Sequence, residues 1–168
     1  MKNIYSLSKA VLALSFGMFM LPISKTYAVD ASTTYSQTSI PGVTYYFTIA
    51  VPTFAAKPLQ QVTLTQIEGG EHIEFDAKQS KAFVGTSDRA AENLPVSLVK
   101  NPSQDDSVIV QFAQPLPPGK TVTIALKAYS NPTWDGVYLF NLNIAPANQN
   151  TEALPLGIAR LQFYPPDF

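Results

Sequence analysis

The stretch "EGGEHIEF" (Glu68–Phe75) sets one imidazole among three carboxylates, and the chain has no other His. Glu71 and Glu74 flank His72, and Glu68 precedes the Gly-Gly pair. On an extended strand, His72 and Glu74 fall one period apart and share a face. An imidazole beside carboxylates is the beginning of a metal site or of an acid–base pair. Zinc takes three or four ligands from His, Cys and carboxylate, and His72 with Glu71 and Glu74 is all that the stretch offers. The same residues also read as a Gly-Gly turn edged by solvated acids, with His72 at a strand start. A Ser-His-Asp system would have to recruit this one His72, and no G-x-S-x-G motif is present.

Other chemistries find less. Copper carriers use Cys, Met and several imidazoles; the chain has no Cys, and its three Met all fall at or before Met20. Asp105 and Asp106 in "NPSQDDS" offer oxygen to a hard cation, but the EF-hand spacing is absent. "QPLPPGKTVTI" (Gln114–Ile124) reads as a tight Pro-Pro-Gly turn feeding a strand. No cofactor is expected. Aromatic side chains are the remaining candidates, because exposed rings stack on sugars and anchor protein interfaces. Trp134, Tyr129 and Tyr46 are the ligand-contact candidates.

Trp134 is the only Trp, and it sits in "NPTWDGVYLFNLN" (Asn131–Asn143) just ahead of an Asp-Gly turn signal. The strand-like runs "TVTIALKA" and "VYLFNLNIA" flank this turn, so a hairpin connection is expected. A loop of this length can fold the indole back over a sheet end. That burial would remove roughly 150–250 Å² from water, on the order of 4–6 kcal/mol before ordering costs. The other reading leaves Trp134 outside as a contact residue.

The elements that must position these residues are short strands. Val43, Tyr45, Phe47, Ile49 and Val51 alternate with polar neighbours. So do Val62 and Leu64; Ile73, Phe75 and Ala77; Val96 and Leu98; and Val108, Val110 and Phe112. The pattern returns in Val122, Ile124, Leu126 and Ala128, in Tyr138, Phe140, Leu142 and Ile144, and in Ala159, Leu161 and Phe163. Period two with β-branched and aromatic enrichment is the strand signal. One-sided alternation fits two sheets that each have one dry face. The expected fold is all-β, an immunoglobulin-like antiparallel β-sandwich of about 7–9 strands. At most one short helix is expected, in "SDRAAENL" (Ser87–Leu94) ahead of Pro95.

Residues 1–28 read as a signal peptide. Lys2 and Lys9 precede the apolar run Ala10–Ile23, and Ala28 is a small residue suited to cleavage, with Ala31 as the alternative. The run falls short of the roughly 20 residues a membrane span needs, and no second apolar run follows. Residues 29–39 are expected to be flexible, and residues 40–168 to form a single domain. The 168-residue chain has 11 Lys and Arg against 12 Asp and Glu; Lys2, Lys9 and Lys25 leave with the signal, so the remainder is net −4. That balance argues against nucleic acid or an anionic membrane as partner. Export to the periplasm, the medium or a thylakoid lumen is expected. The partner is then an unknown protein or glycan, and the role a non-enzymatic binding or structural one. The alternative is a periplasmic metal-handling protein using His72 and nearby carboxylates.

Three blocks carry a family resemblance: "YFTIAVPTFAAKPLQQVTLTQ" (Tyr46–Gln66), "LPPGKTVTIALKAYSNPTWDGVYLFNLNIAP" (Leu116–Pro146) and "GIARLQFY" (Gly157–Tyr164). "FDAKQSKAFVGT" (Phe75–Thr86) joins them. The chain resembles a family of small exported proteins, chiefly cyanobacterial, whose function is not established. The Pro-Pro-Gly strand entry and the Asn-Pro…Gly-Val-Tyr-Leu-Phe block are the most specific parts. The resemblance implies export, one domain and an envelope setting, and it brings no catalytic residues to transfer.

Overall fold

Strict alternation closes the core. Val43, Tyr45, Phe47, Ile49 and Val51 are all buried, while Thr44, Tyr46 and Thr48 between them are half-buried on the outer face. The same holds for Tyr138, Phe140, Leu142 and Ile144; Val122, Ile124, Leu126 and Ala128 are buried as well, but so are Thr123 and Ala125 between them. The computed structural model describes residues 29–53, 57–101, 104–146 and 153–166. Residues 1–28, the expected signal peptide, lie outside them.

Ten strands form among the described residues: β1 (Val29–Thr33), β2 (Thr44–Ala50), β3 (Leu59–Glu68), β4 (Phe75–Thr86), β5 (Arg89–Leu94), β6 (Val96–Lys100), β7 (Ser107–Phe112), β8 (Thr121–Ala128), β9 (Gly136–Pro146) and β10 (Leu154–Phe163). They make two antiparallel sheets of five strands. Sheet I has the order β1-β2-β8-β4-β5, and sheet II the order β10-β9-β3-β7-β6. The fold is an immunoglobulin-like β-sandwich, one strand beyond the expected range. Rings from the two sheets meet in the middle: Phe47 lies 5.3 Å from Phe140, and Tyr45 5.7 Å from Phe163. The Phe47–Phe140 pair is edge-to-face, and such a pair adds about 0.5–1.5 kcal/mol beyond burial.

Three local expectations are corrected. Residues 29–39 were expected to be flexible, yet Val29–Thr33 pairs along β2 from Val29↔Ile49 to Thr33↔Tyr45. Ser87–Leu94 forms no helix; its residues turn at Ser87–Asp88 and return as β5 against β4. The Trp134 turn is no hairpin, because β8 lies in sheet I and β9 in sheet II. It is a crossover between the layers.

The Pro-Pro-Gly segment is a tight turn, as its residues require. Gly119 has φ 71°, a left-handed value that suits Gly after Pro. Its N–H donates to Val51 O at 3.0 Å, and Val51 N–H donates to Lys120 O at 2.9 Å. Pro95 makes a sheet-switching corner: β5 ends in sheet I at Leu94, and β6 begins in sheet II at Val96.

Candidate functional site

Strand direction gathers the chemistry at one end. β1, β3, β6, β8 and β10 finish there, and β2, β4, β7 and β9 start there. The connections 34–43, 69–74, 101–106 and 129–135 therefore share that end with Tyr164. His72, Glu71, Glu74, Asp105, Asp106, Tyr129 and Trp134 all fall in them. The opposite end holds the proline-rich turns around Pro52, Pro58 and Pro117.

Asn131 holds this end together from inside. It is 1% exposed. Its Oδ1 accepts from the Tyr45 hydroxyl at 2.8 Å, and its Nδ2 donates to Tyr35 O at 2.8 Å and Gln37 O at 2.7 Å. Its backbone N–H donates to Ile40 O at 2.8 Å, and Ser39 N–H donates to Pro132 O at 3.0 Å. Gly42 N–H reaches Tyr129 O at 2.8 Å. The 34–43 loop is thus tied along its length to the 129–132 segment. Burial, then the nearby Tyr138 and Glu71, push the Tyr45 hydroxyl well above its ordinary value, so it stays a neutral donor. Ser39 sits at φ 61°, a conformation rare for a non-Gly residue, and the bonds on either side of it hold it there. Tyr164 N–H donates to Ser36 O and its carbonyl accepts from Thr38, both at 2.9 Å. From the sequence, Asn131 reads only as a turn residue.

Trp134 is 65% exposed and Tyr129 60%. The indole therefore lies outside, and the reading that folds it over the core is corrected. Its backbone is fixed nonetheless. Trp134 O accepts from the Tyr138 hydroxyl at 3.0 Å, and a Cβ on Gly70 would stand only 3.1 Å from Trp134 Cβ. The Tyr138 ring lies so close under Gly69, at φ 146°, that a Cβ there would meet it at 2.3 Å. The Gly-Gly pair thus lets the 69–74 crossover lie flat against the Trp134 loop. Tyr35 and Tyr164 are exposed at this same end. Tyr46 is not with them: it is half-buried on the outer face of sheet I, between Ser32 and Ala125 in register.

The residues 71–74 are not a strand, and they part ways. The Glu71 carboxylate accepts from Thr133 N–H, bracing the Trp134 loop. His72 turns the other way, with Nδ1 3.2 Å from Asp106 Oδ1. His72 and Glu74 border a cleft of about 140 Å³ with Asp105, Asp106, Lys100 and Tyr129. Among the described residues, no group of three or more His, Cys, Asp or Glu side chains converges as metal ligands would. Ser107, next to Asp106, donates its hydroxyl to Gln104 Oε1 at 3.2 Å and meets the Thr65 hydroxyl at 2.5 Å. The cleft offers a ligand carboxylates, an imidazole, a phenol and the Lys100 ammonium.

The solved structures that match the chain are remote from it in sequence. The RrgA Jo.In complex matches at TM-score 0.43 and 13% identity, over 80% of this chain and 79% of that one. The collagen-binding domain of a Staphylococcus aureus adhesin matches at TM-score 0.39 and 11% identity, over 86% and 99%. The KRT10-binding region domain of the pneumococcal serine rich repeat protein PsrP matches at TM-score 0.43 and 9% identity, over 81% and 99%. No curated protein matches the chain. A family model does match, over residues 19–163, and the chain belongs to that family, a protein family of unknown function designated DUF2808.

Proposed function

We propose that the chain is an exported, non-enzymatic binding module of the cell envelope, meeting a protein or glycan partner through its loop end. The observation that carries this reading is the exposure of Trp134 and Tyr129, with Tyr35 and Tyr164, on one end of the sandwich. Trp and Tyr supply large contact area at low entropic cost and dominate binding hot spots. The loops that bear them are already pinned by Asn131, Glu71 and Tyr138. A surface ordered in advance loses little on association.

Trp134 fluorescence tests the proposal, since the chain has one Trp. The free mature protein should emit at long wavelength and be quenched by acrylamide. Glycans from an array, or proteins captured from envelope extract, should shift that emission to the blue and protect it. Trp134→Ala and Tyr129→Ala should weaken capture. Blank arrays and blank captures, or capture unaffected by both substitutions, would overturn it.

A further inference from the structure

The two ends of the sandwich differ in charge. The connections 34–43, 69–74, 101–106 and 129–135 carry Glu71, Glu74, Asp105, Asp106 and Asp135, and no Lys or Arg. The described turns at the opposite end carry Lys57 and Lys120 against Asp88. The cations nearest the loop end sit in strands. Lys100 closes β6, and Lys127, level with Asp76, gives its ammonium to the Gly42 carbonyl. A field of this sign draws cations and repels anions.

The cleft beside His72 sets the shape of the guest. It holds about 140 Å³, and Leu64, Ile73, Phe75 and Val108 give it an apolar lining. Glu74 and Asp105 border it, and neither has an ion-pair partner among the described residues. Tyr129 borders it too and is largely exposed. Lys100, also at the border, leaves the carboxylates in excess. A slim aliphatic stem ending in a cation fits all these features. Its methylenes meet the apolar lining, its head meets the carboxylates, and the phenol ring stacks on either. Lys and Arg side chains have this form. A neutral sugar chain has no cation to offer Glu74 and Asp105 and no unbranched stem to fill the cleft. A free amine would leave Trp134, Tyr35 and Tyr164 uncovered at the same end, whereas a polypeptide bearing the cation extends over them. A second copy docked about a twofold axis would set these carboxylates against their own kind.

We propose that the loop end binds a basic polypeptide segment and seats one of its Lys or Arg side chains in the cleft bordered by Glu74, Asp105 and Tyr129. The proposal rests on the binding-module reading and names the class of its partner. The test is fluorescence anisotropy of dye-labelled oligolysine and oligoarginine peptides titrated with the mature protein, with a Gly-Ser peptide as the uncharged control. The basic peptides should bind, the control should not, and added salt should weaken binding. Glu74→Gln with Asp105→Asn should weaken it at least about tenfold. Asp30→Asn with Asp88→Asn changes net charge equally but lies away from the cleft, and should leave binding within about twofold. Tyr129→Ala alters no charge and should weaken binding about threefold or more. Far-UV circular dichroism checks that each variant is folded.

Absence of binding to the basic peptides, equal loss in the two carboxylate pairs, or an unchanged Tyr129→Ala variant would overturn the proposal. So would spermine binding as tightly as the peptides, which makes the cleft a site for free amines. A wild-type dimer that Lys57→Gln with Lys120→Gln dissociates, without peptide binding, would make a second copy the occupant and overturn it as well. In each case, capture from envelope extract that depends on Trp134 would keep the binding-module reading standing.

Discussion

Replacing Asn131 with Ala should cost more than any single core truncation of similar size. Three side-chain hydrogen bonds disappear, to Tyr45, Tyr35 and Gln37. Each contributes about 1 kcal/mol net. The Tyr45 hydroxyl is then left buried and unpaired, a further cost of about 1–3 kcal/mol. The sum is about 4–6 kcal/mol against a total stability of about 5–15 kcal/mol. With a urea slope of about 2 kcal/mol per M, the midpoint should fall by about 2–3 M. Far-UV circular dichroism is the right probe, because Trp134 is exposed in the folded state and reports unfolding poorly. Tyr45→Phe alone should cost about 1–2 kcal/mol, by orphaning Asn131 Oδ1. In the double variant the second change removes an already unpaired hydroxyl. The two costs should therefore fall short of additive by about 1–2 kcal/mol. Additivity within about 0.5 kcal/mol, or an Asn131→Ala cost under about 1 kcal/mol, would refute the view that this residue ties the loop end to the core.

Three further outcomes are expected. Tyr45 has a raised folded-state pKa, from burial first, so its contribution is complete below its ordinary value of 10.0 and is lost as pH rises beyond it. Wild type should lose stability in alkali, and Tyr45→Phe should lose less, as read from urea midpoints on either side of about pH 10. Asp76 shows the opposite sign: hydrogen bonds from the Lys78 backbone and the Gln79 side chain hold its carboxyl below the usual range. Its contribution is present above the unfolded value and fades as pH falls through the lower folded one, so Asp76→Asn should flatten the midpoint's decline between about pH 5 and about pH 2. Gly69→Ala meets both a left-handed φ and the Tyr138 ring. It should cost about 2–4 kcal/mol in denaturant melts and alter Trp134 emission, since Tyr138 holds the Trp134 carbonyl.

The buried faces were legible wherever alternation ran unbroken, as in Val43–Val51, Thr121–Ala128 and Val137–Ala145. β4 was legible only at its start. Four residues, Ala77–Ser80, stand opposite the single Leu126, and this bulge breaks the period before Ala82 restores it. β5 carries helix-forming Ala and Glu, and only its pairing with β4 makes it a strand. Which sheet receives β9 was not legible, because the Trp134 turn can close a hairpin or bridge the layers. The candidates Trp134, Tyr129, His72 and Glu74 do reach one end, which topology decides and spacing does not. Tyr46 faces elsewhere. Asn131 escaped notice because an Asn before Pro is a common turn residue, and its three partners are far away in sequence.

The strand order has a consequence for when the fold can form. β2 and β4 are both neighbours of β8, so Tyr45, Phe47 and Ile49 lack their inner sheet until residues 121–128 exist. β3 waits likewise for β9, and the segment after β1 is bonded to Tyr164 at the far end of β10. Pairings so distant in sequence close slowly. Local pairs such as β1–β2, β4–β5 and β6–β7 can form early, but neither sheet is complete, and the two layers cannot close on each other, until β8, β9 and β10 have been made.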